Sequence, residues 1–439
     1  MLPPFEIVAR RRPIALVGTP DAPLLAPYAA IDARLDGGRA ELALTHPDGT
    51  RLAVALDDGR ASLTVGDRVV RSRRHGRVKV APERLGLTLT GSHLAVLTHE
   101  TDRWVVRGRV DLREAGGPDT RAAGWAAGLT AAAEGDIADL RAGGFGQLGL
   151  RDIRLVSHAD GTPYRVGGAV LFTATSAGPG FFDTAHTSVW ALTRDDEIEH
   201  RADLWFGRPD APGVYGDHAT HLLRDDAHDR WLVTTSTWSD FPADKRERVA
   251  GRLRITLAES RDDLTSGQHL LPTRELPLPT PDGVPSVGVW DPHLAFDAAT
   301  GAWLVGYVSA RRFFDFHPVL ASGPTLDDLT LRGAATERRA TEGTTLVRLG
   351  DTWRVLASDG RDNRRAIRAR FPIFDTSLRE IGALAAPYPI NIPWPTVVPP
   401  DPDVPGDEWR LVTFNGRPAG GALAGYGTHG DVVIMRSDS

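Results

Sequence analysis

Three acidic residues stand near the starts of short apolar segments that recur along the chain: Asp152, Asp291 and Glu342. Each lies between 11 and 17 residues before a longer apolar strand. Two carboxyl groups on opposite sides of a glycosidic bond can cleave it, because one protonates the leaving oxygen while the other activates a water. A third carboxylate can raise the pKa of the acid by like-charge repulsion. The three residues therefore indicate an enzyme with acid–base chemistry.

The longer strands set the repeat that selects these residues. They begin at Ala169, Trp231, Trp303, Trp353 and Trp409, at intervals of 62, 72, 50 and 56 residues. A repeat of this length, rich in short strands, is typical of a propeller, in which the first strand of each blade lines a central channel. Counting back from each anchor places His218 and Trp394 in the same ring as the three carboxylates.

The region before the repeat has a different texture. Between about Leu35 and Leu112, short runs alternate apolar and polar residues and are separated by Asp-Gly and Gly-Gly turns, which predicts an antiparallel sandwich. We therefore predict an all-β protein, with an N-terminal β-sandwich (1–112), an Ala/Gly-rich connection (113–144) and a five-bladed β-propeller (145–439). An irregular sandwich or jelly roll is the alternative for the last region.

Composition excludes several classes of function. The chain of 439 residues has no cysteine, which excludes disulfides, thiolate metal sites and a cysteine nucleophile. Its formal net charge of −6 argues against a general nucleic-acid or anionic-membrane surface. No run approaches the 18 apolar residues of a membrane span, and the N-terminus has no export signal, so we expect a cytoplasmic protein.

Two of the three carboxylates lie in motifs that resemble glycoside hydrolase family 43 and its five-bladed propeller relatives. The segment Trp290-Asp-Pro-His-Leu-Ala-Phe-Asp is similar to the family's Asp-Pro motif, and Thr341-Glu-Gly-Thr is similar to its Glu-Gly-Pro motif. Leu150-Arg-Asp-Ile-Arg is a weaker match to the motif of the base. Ile153 and Thr344 depart from the prolines of these motifs, which points to a distant subgroup with another substrate or to loss of hydrolysis.

The resemblance implies an inverting glycosidase acting on arabinofuranosyl or xylosyl groups. Asp152 would be the general base, Glu342 the general acid, and Asp291 the residue that tunes the acid. No cofactor would be required. Related propellers place a histidine near a central hydrated metal ion, so the resemblance allows a structural calcium ion near His429.

Further residues are candidates for binding a carbohydrate substrate. His218 would donate a hydrogen bond to a sugar hydroxyl, and Trp394 would stack on a sugar ring. Asp217 is a further carboxylate near a blade mouth, and Arg312 follows a core strand where it would bind an anionic substituent. Each of these residues has an ordinary structural role as its alternative, in the core, in a turn or on the surface.

Two other functions remain open at this point. A propeller phosphorylase or transglycosylase would use a similar site, with arginines holding phosphate. A non-catalytic sugar-binding propeller would use the carboxylates only as hydrogen-bond partners. The sequence leaves the sugar, the linkage, the role of the N-terminal region and the oligomeric state open.

Overall fold

A computed structural model describes residues 2–242, 244–390, 392–416, 421–425 and 429–437. Over these residues the fold is all-β, with one short α-helix, α1 (Leu112–Ala115), and short 3-10 helices. The 3-10 helices span Trp125–Gly128, Phe182–Thr184, Asp226–His228, Trp238–Asp240, Lys245–Glu247 and Arg365–Ile367. Among the described residues, no helix has the length and apolar character needed to span a membrane.

The first ten strands precede the repeat region. They are β1 (Phe5–Arg11), β2 (Ala15–Pro20), β3 (Tyr28–Thr45), β4 (Arg51–Asp57), β5 (Arg60–Val65), β6 (Arg68–Val70), β7 (Arg84–Thr90), β8 (His93–Glu100), β9 (Arg103–Asp111) and β10 (Thr130–Gln147). Strands β2 to β10 form one antiparallel sheet of nine strands.

This N-terminal sheet is folded over on itself. One half of the long strand β3 pairs with β4 and the other half pairs with β7. Strand β5 contacts β8 and β9, which are not its neighbours within the sheet. Alternate residues of the two facing halves, among them Ile31, Leu42 and Leu87, form a buried aliphatic core between them.

The Ala/Gly-rich stretch is a strand over much of its length, so its prediction as a connection from 113 to 144 is wrong. Strand β10 pairs with β3 from Thr130 onward and with β2 near its end. Its small side chains give no clear alternation of apolar and polar residues, which is why the sequence pattern did not indicate a strand.

The remaining strands follow in chain order. They are β11 (Leu150–Leu155), β12 (Ser157–His158), β13 (Arg165–Val166), β14 (Ala169–Ser176), β15 (His186–Leu192), β16 (Ile198–Gly207), β17 (Val214–Tyr215), β18 (His218–Asp225), β19 (Arg230–Ser236), β20 (Ile255–Ser260), β21 (Gly267–Pro272), β22 (Arg274–Glu275), β23 (Gly288–Asp297), β24 (Ala302–Arg312), β25 (Asp315–Thr325), β26 (Asp328–Ala334), β27 (Thr341–Leu349), β28 (Thr352–Asp359), β29 (Pro372–Phe374), β30 (Glu380–Ala383), β31 (Thr396–Val398), β32 (Arg410–Asn415) and β33 (Asp431–Ser437).

These strands form sheets in a propeller-like arrangement. Over the described residues the strand orders are β11-β14-β15-β16-β17, β12-β18-β19-β20-β22, β23-β24-β25-β26, β27-β28-β29-β30 and β31-β32-β33-β1. Strands β13 and β21 add to the first of these sheets. We call β11, β18, β23, β27 and β31 the leading strands of these sheets. Neighbouring leading strands contact one another: β11 contacts β18 and β31, β18 contacts β23, and β23 contacts β27. The strands that begin at or next to the repeated anchors of the sequence are β14, β19, β24, β28 and β32, and each of them pairs with the leading strand of its sheet.

The N-terminal strand closes the last sheet. Strand β1 pairs with β33 in antiparallel register, from Phe5 opposite Ser437 to Arg11 opposite Val432. Arg12 then forms an ion pair with Asp431 at 2.7 Å. The predicted first domain, 1–112, therefore begins too early, because residues 5–11 belong to the last sheet. No local pattern reveals a pairing between strands more than 400 residues apart.

Candidate active site

The leading strands of four sheets share a β-bulge at the same register. In β11, β18, β23 and β27, an advance of three residues lies opposite an advance of two residues in the partner strand. In β11, for example, the extra residue lies between Arg151 and Arg154. Within each bulge one residue has a positive φ: Asp152 (53°), Ala219 (60°), Asp291 (60°) and Gly343 (70°). Bulges of this kind redirect side chains and are frequent beside active sites.

The shared bulge corrects the predicted alignment of the carboxylates. Asp152 and Asp291 occupy the same position, in a left-handed backbone conformation that is costly for residues other than glycine. Glu342 lies one residue earlier, at the position of Arg151 and Trp290 in their own bulges. The carboxylates therefore come from two adjacent positions of the repeat, not from one.

All three carboxylates line one cavity of about 180 Å³. His218 and Arg151 line it as well. The cavity lies where the bulges of the leading strands meet, which explains why residues so far apart in the sequence come together.

Asp152 is held by two donors. Its Oδ1 accepts a hydrogen bond from Nε of Arg151 at 2.6 Å, and its Oδ2 accepts one from the hydroxyl of Thr175 at 2.8 Å. A second nitrogen of Arg151 lies 3.6 Å from Oε1 of Glu342. Since both contacts involve one planar guanidinium group, these oxygens of Asp152 and Glu342 lie less than about 9 Å apart.

Glu342 is in a different environment. Burial raises its pKa to about 7; the positive charge of Arg151 opposes this rise, and the negative charge of Asp152 adds to it. A carboxyl group with a pKa near neutrality can both give and take a proton, which is what a general acid requires.

Asp291 favours its protonated form. Burial raises its pKa well above the ordinary value, and the negative charges of Glu342 and Asp152 raise it further. Its backbone N–H donates to the hydroxyl of Ser236 at 3.0 Å, while its buried Oδ2 has no hydrogen-bond partner among the described residues. The residue lines the cavity, so its carboxyl group lies beside the space that a ligand would fill.

A buried arginine ties the bulges together. Arg154 donates to the backbone carbonyls of Asp291 and Thr344, each at 2.9 Å, and its guanidinium lies 4.4 Å from the ring centroid of Trp394. Burial lowers its pKa to about 10, so it remains a cation at neutral pH. Sequence reasoning missed Arg154 and Arg151, although each stands within two residues of Asp152.

Two stacked histidines continue the buried polar layer. The rings of His221 and His293 are 4.1 Å apart, and burial lowers the pKa of both well below the ordinary value. Each accepts a backbone N–H at Nδ1, from Leu294 and Leu346 respectively. They serve as neutral acceptors that hold the next leading strand.

His218 lines the cavity, but it cannot act as the predicted donor. Its Nδ1 lies 3.1 Å from the carbonyl oxygen of Gly216, which can only accept a hydrogen bond. Burial lowers the pKa of His218 to about 3, so the ring is neutral and its Nε2 carries a lone pair. His218 would therefore accept a hydrogen bond from a ligand.

Three other predicted binding residues are used elsewhere. Trp394 is fully buried against Arg154, so no face of its ring is open to a sugar. Asp217 is buried in an ion pair with Arg208, which occupies both of its oxygens.

Arg312 is exposed on the surface and pairs with Asp315 at 3.3 Å. Trp394, Asp217 and Arg312 do not line the cavity, so we assign them no part in binding substrate there. Arg361, from the other arginine-rich loop of the sequence, lines the cavity.

The predicted metal residue has a backbone partner. Nε2 of His429 donates to the carbonyl of Ala424 at 2.6 Å, and burial lowers the pKa of this histidine to about 4. Over the part of the chain that the structure describes, no three His, Asp or Glu residues form a group that could hold a metal ion. A calcium ion near His429 stays a prediction.

The walls of the cavity are aromatic. They come from the 3-10 helices Phe182–Thr184 and Trp238–Asp240, from β23, and from the hairpin between β24 and β25. The rings that line the cavity are Phe182, Trp238, Phe241, Trp290, Phe313, Phe314 and Phe316.

The N-terminal sheet and the segment between its strands β9 and β10 hold the wall from outside. Tyr28 donates to the carbonyl of Ala185 at 3.0 Å, directly after the helix that carries Phe182. Arg121 donates to the carbonyl of Ser239 at 3.0 Å, inside the helix that carries Trp238. The N-terminal region therefore supports both aromatic segments.

Comparison with known proteins gives only distant likenesses. No family model matches the sequence, and no curated protein matches it. A thermostable family-43 glycoside hydrolase is similar in structure, at 15% identity and a TM-score of 0.40 over 66% of this chain and 89% of its own.

Two further solved structures are similar at the same level. An α-L-arabinanase from Penicillium chrysogenum, complexed with arabinobiose, has 11% identity and a TM-score of 0.38, covering 98% of this chain and 99% of its own. An inulosucrase from Halalkalicoccus jeotgali, bound to kestose, has 14% identity and a TM-score of 0.42 over 61% of this chain and 76% of its own. At these values the likenesses assign neither a family nor an activity to this chain.

Proposed function

We propose that this protein is a glycoside hydrolase, built as a five-bladed propeller preceded by a β-sandwich. The observation that carries the proposal is the pair Asp152 and Glu342, which line one cavity in opposite environments. Asp152 is bound by two donors, whereas Glu342 is buried with a pKa raised to about 7. Glycoside cleavage requires two carboxyl groups with different tasks, one that gives a proton to the leaving oxygen and one that activates a water.

The two residues would divide the reaction between them. Glu342 gives its proton to the glycosidic oxygen as the bond from that oxygen to the anomeric carbon breaks. Asp152 takes a proton from the water whose oxygen bonds to the anomeric carbon on the opposite face. The upper bound of about 9 Å admits both the roughly 6.5–9.5 Å of inverting enzymes and the roughly 5–5.5 Å of retaining ones. We propose inversion because the sequence motifs resemble those of an inverting family.

Asp291 would bind the substrate beside the reacting pair. Asp291 lines the cavity, and a carboxyl group can form a hydrogen bond with a sugar hydroxyl whether or not it carries a proton. His218 would accept a hydrogen bond from a second hydroxyl. In this assignment Asp291 contributes binding in addition to its predicted influence on Glu342.

The cavity suits a single small sugar. Its volume of about 180 Å³ lies below the roughly 300–1,000 Å³ of sites for drug-sized ligands. A terminal pentosyl group, such as the arabinofuranosyl or xylosyl group that the sequence motifs imply, is the substrate class we propose.

The test measures product release from arabinofuranosides and xylosides by the parent protein and by Asp152→Asn and Glu342→Gln variants. We expect each variant to lose activity by about 10²-fold or more while folding normally. Asp351→Asn, at a fully exposed carboxylate, is the matched control and should retain activity.

Two outcomes would replace the proposal. Turnover that requires phosphate and yields a sugar phosphate would identify a phosphorylase. Binding of a glycoside without product from any substrate would identify a sugar-binding propeller. Full activity in both variants would remove Asp152 and Glu342 from the mechanism.

A further inference from the structure

The rim of the cavity carries two adjacent phenylalanines at the tip of the hairpin between β24 and β25. Phe313 packs edge-to-face on Phe241, with ring centroids 5.1 Å apart, and so belongs to the wall. Phe314 lines the same cavity but is 52% exposed. A large aromatic ring is thus presented to solvent at the mouth of the site.

Folding does not explain this placement of Phe314. Its φ is 68°, a left-handed conformation in which a bulky residue is an outlier and which glycine or asparagine would adopt at lower cost. Backbone strain of this kind concentrates at functional sites. An exposed ring and a strained backbone at one residue are two independent costs of keeping phenylalanine here.

The ring is also held in position. The guanidinium of Arg248 lies 5.1 Å from the ring centroid of Phe314 and 4.9 Å from that of Phe241. Arg248 therefore bridges the exposed ring and the fixed wall. Phe314 is an ordered extension of the aromatic lining, as a binding platform would have to be.

We propose that Phe313 and Phe314 bind the leaving group, and that the substrates are glycosides with an apolar, ring-bearing aglycone. This inference rests on the proposed function. The carboxylates and the small cavity hold the sugar, so the group released at Glu342 extends toward the mouth. The two phenylalanine rings there offer stacking without hydrogen bonds, while the exposed pair Arg361 and Asp362, 3.9 Å apart, also lines the cavity. The stacking surface of the two rings favours an aromatic group on the leaving side.

The experiment compares benzyl with methyl arabinofuranosides and xylosides. The two released alcohols have similar basicity, so a difference in kcat/KM reports contacts with the ring and not leaving-group chemistry. We expect the parent to prefer the benzyl glycoside. Phe314→Ala should lower kcat/KM for the benzyl substrate by about two- to tenfold, and by clearly more than it lowers kcat/KM for the methyl substrate.

Two further variants separate ring contact from other effects. Phe314→Tyr keeps the ring and should retain the preference for benzyl. Ile381→Ala removes another exposed apolar side chain, 54% exposed on the edge strand β30, and should behave as the parent does.

The outcomes distinguish this inference from the proposed function. Equal kcat/KM for benzyl and methyl substrates, an equal loss on both in Phe314→Ala, or a preference for arabinobiose would overturn the inference while hydrolysis stands. If nothing is hydrolysed, the proposed function fails, and calorimetry with benzyl and methyl 1-thioglycosides decides the inference. Equal affinities for these analogues, or no binding of either, would overturn it.

Discussion

Arg151 contacts both Glu342 and Asp152, and burial still raises the pKa of Glu342 to about 7. Asp152 accepts one hydrogen bond from Nε of Arg151 and another from the hydroxyl of Thr175. For Glu342, burial outweighs the longer contact with Arg151. Environment therefore gives two similar side chains different roles.

The raised pKa of Glu342 predicts how activity depends on pH. A general acid must carry its proton, so kcat/KM should fall as the pH rises through about 7. The measurement is kcat/KM, which reports the ionisations of the free enzyme, against pH between 5 and 9 on a substrate with a poor leaving group. A rate that stays constant up to pH 9 would contradict the assignment.

The same shift predicts a stability effect with a definite sign. Between pH 4.5, the ordinary pKa, and about pH 7, Glu342 is ionised in the unfolded chain but protonated in the folded one. Ionisation therefore favours the unfolded state, and the resulting loss in the free energy of unfolding remains at higher pH. Glu342→Gln removes this cost, on the order of 3 kcal/mol. Its free energy of unfolding should exceed that of the parent by more at pH 8 than at pH 4. A gain that does not depend on pH would argue against the raised pKa.

At the scale of elements, the bulges explain what the sequence could and could not predict. Local patterns and motifs were enough to predict the repeat of short strands, the strands that pair with the leading strands, and the three candidate carboxylates. They could not predict that Glu342 is offset by one residue, because Asp152 and Asp291 have a positive φ that no pattern of residue types encodes.

The sequence also did not reveal which partners two of the predicted binding residues contact. Trp394 looked like a sugar platform between two prolines, but its partner is Arg154, 240 residues away in the chain. Asp217 looked like a site carboxylate, but Arg208 neutralises it. In both cases the residue type was compatible with binding, and only tertiary contacts show that its surface is already used.

Among the residues that hold the bulges together, Arg154 has the largest expected effect on stability. Arg154→Met would leave the carbonyls of Asp291 and Thr344 without a donor in a buried region. Hydrogen bonds from a charged group contribute about 1.5–3 kcal/mol each, so we expect a loss of at least about 2 kcal/mol in denaturant unfolding.

Arg246→Met is the matched control, because that side chain is 89% exposed and pairs only with Asp244 among the described residues. It should change stability little. A stable Arg154→Met protein would show that the bulges hold their shape without the buried arginine.

At the scale of the whole molecule, the ring of sheets is closed by its first strand. Strand β1 covers the edge of β33, whose residues from Asp431 to Met435 are buried. The N-terminal sheet follows directly and supports the aromatic wall through Tyr28 and Arg121. Chain closure and cavity shape therefore both depend on the N-terminal 150 residues, whose role the sequence had left open.

Deleting residues 2–11 tests the closure. The variant would expose an unpaired apolar strand edge, so we expect a lower midpoint of thermal unfolding and aggregation on heating. A synthetic peptide of residues 2–12, added in excess, should raise the midpoint again. An unchanged midpoint without the peptide would show that β1 contributes nothing to closure.

We propose that Glu342 donates a proton to the leaving group and that Asp152 activates water. The dependence of the hydrolysis rate on the leaving group tests these two roles separately. Glu342→Gln and Asp152→Asn are each assayed on an alkyl arabinofuranoside and on its dinitrophenyl counterpart, whose leaving group needs no proton. We predict that Glu342→Gln loses the alkyl substrate but keeps most of its rate on the dinitrophenyl substrate, whereas Asp152→Asn loses both. Equal losses on both substrates in Glu342→Gln, or full activity in Asp152→Asn, would contradict the claim.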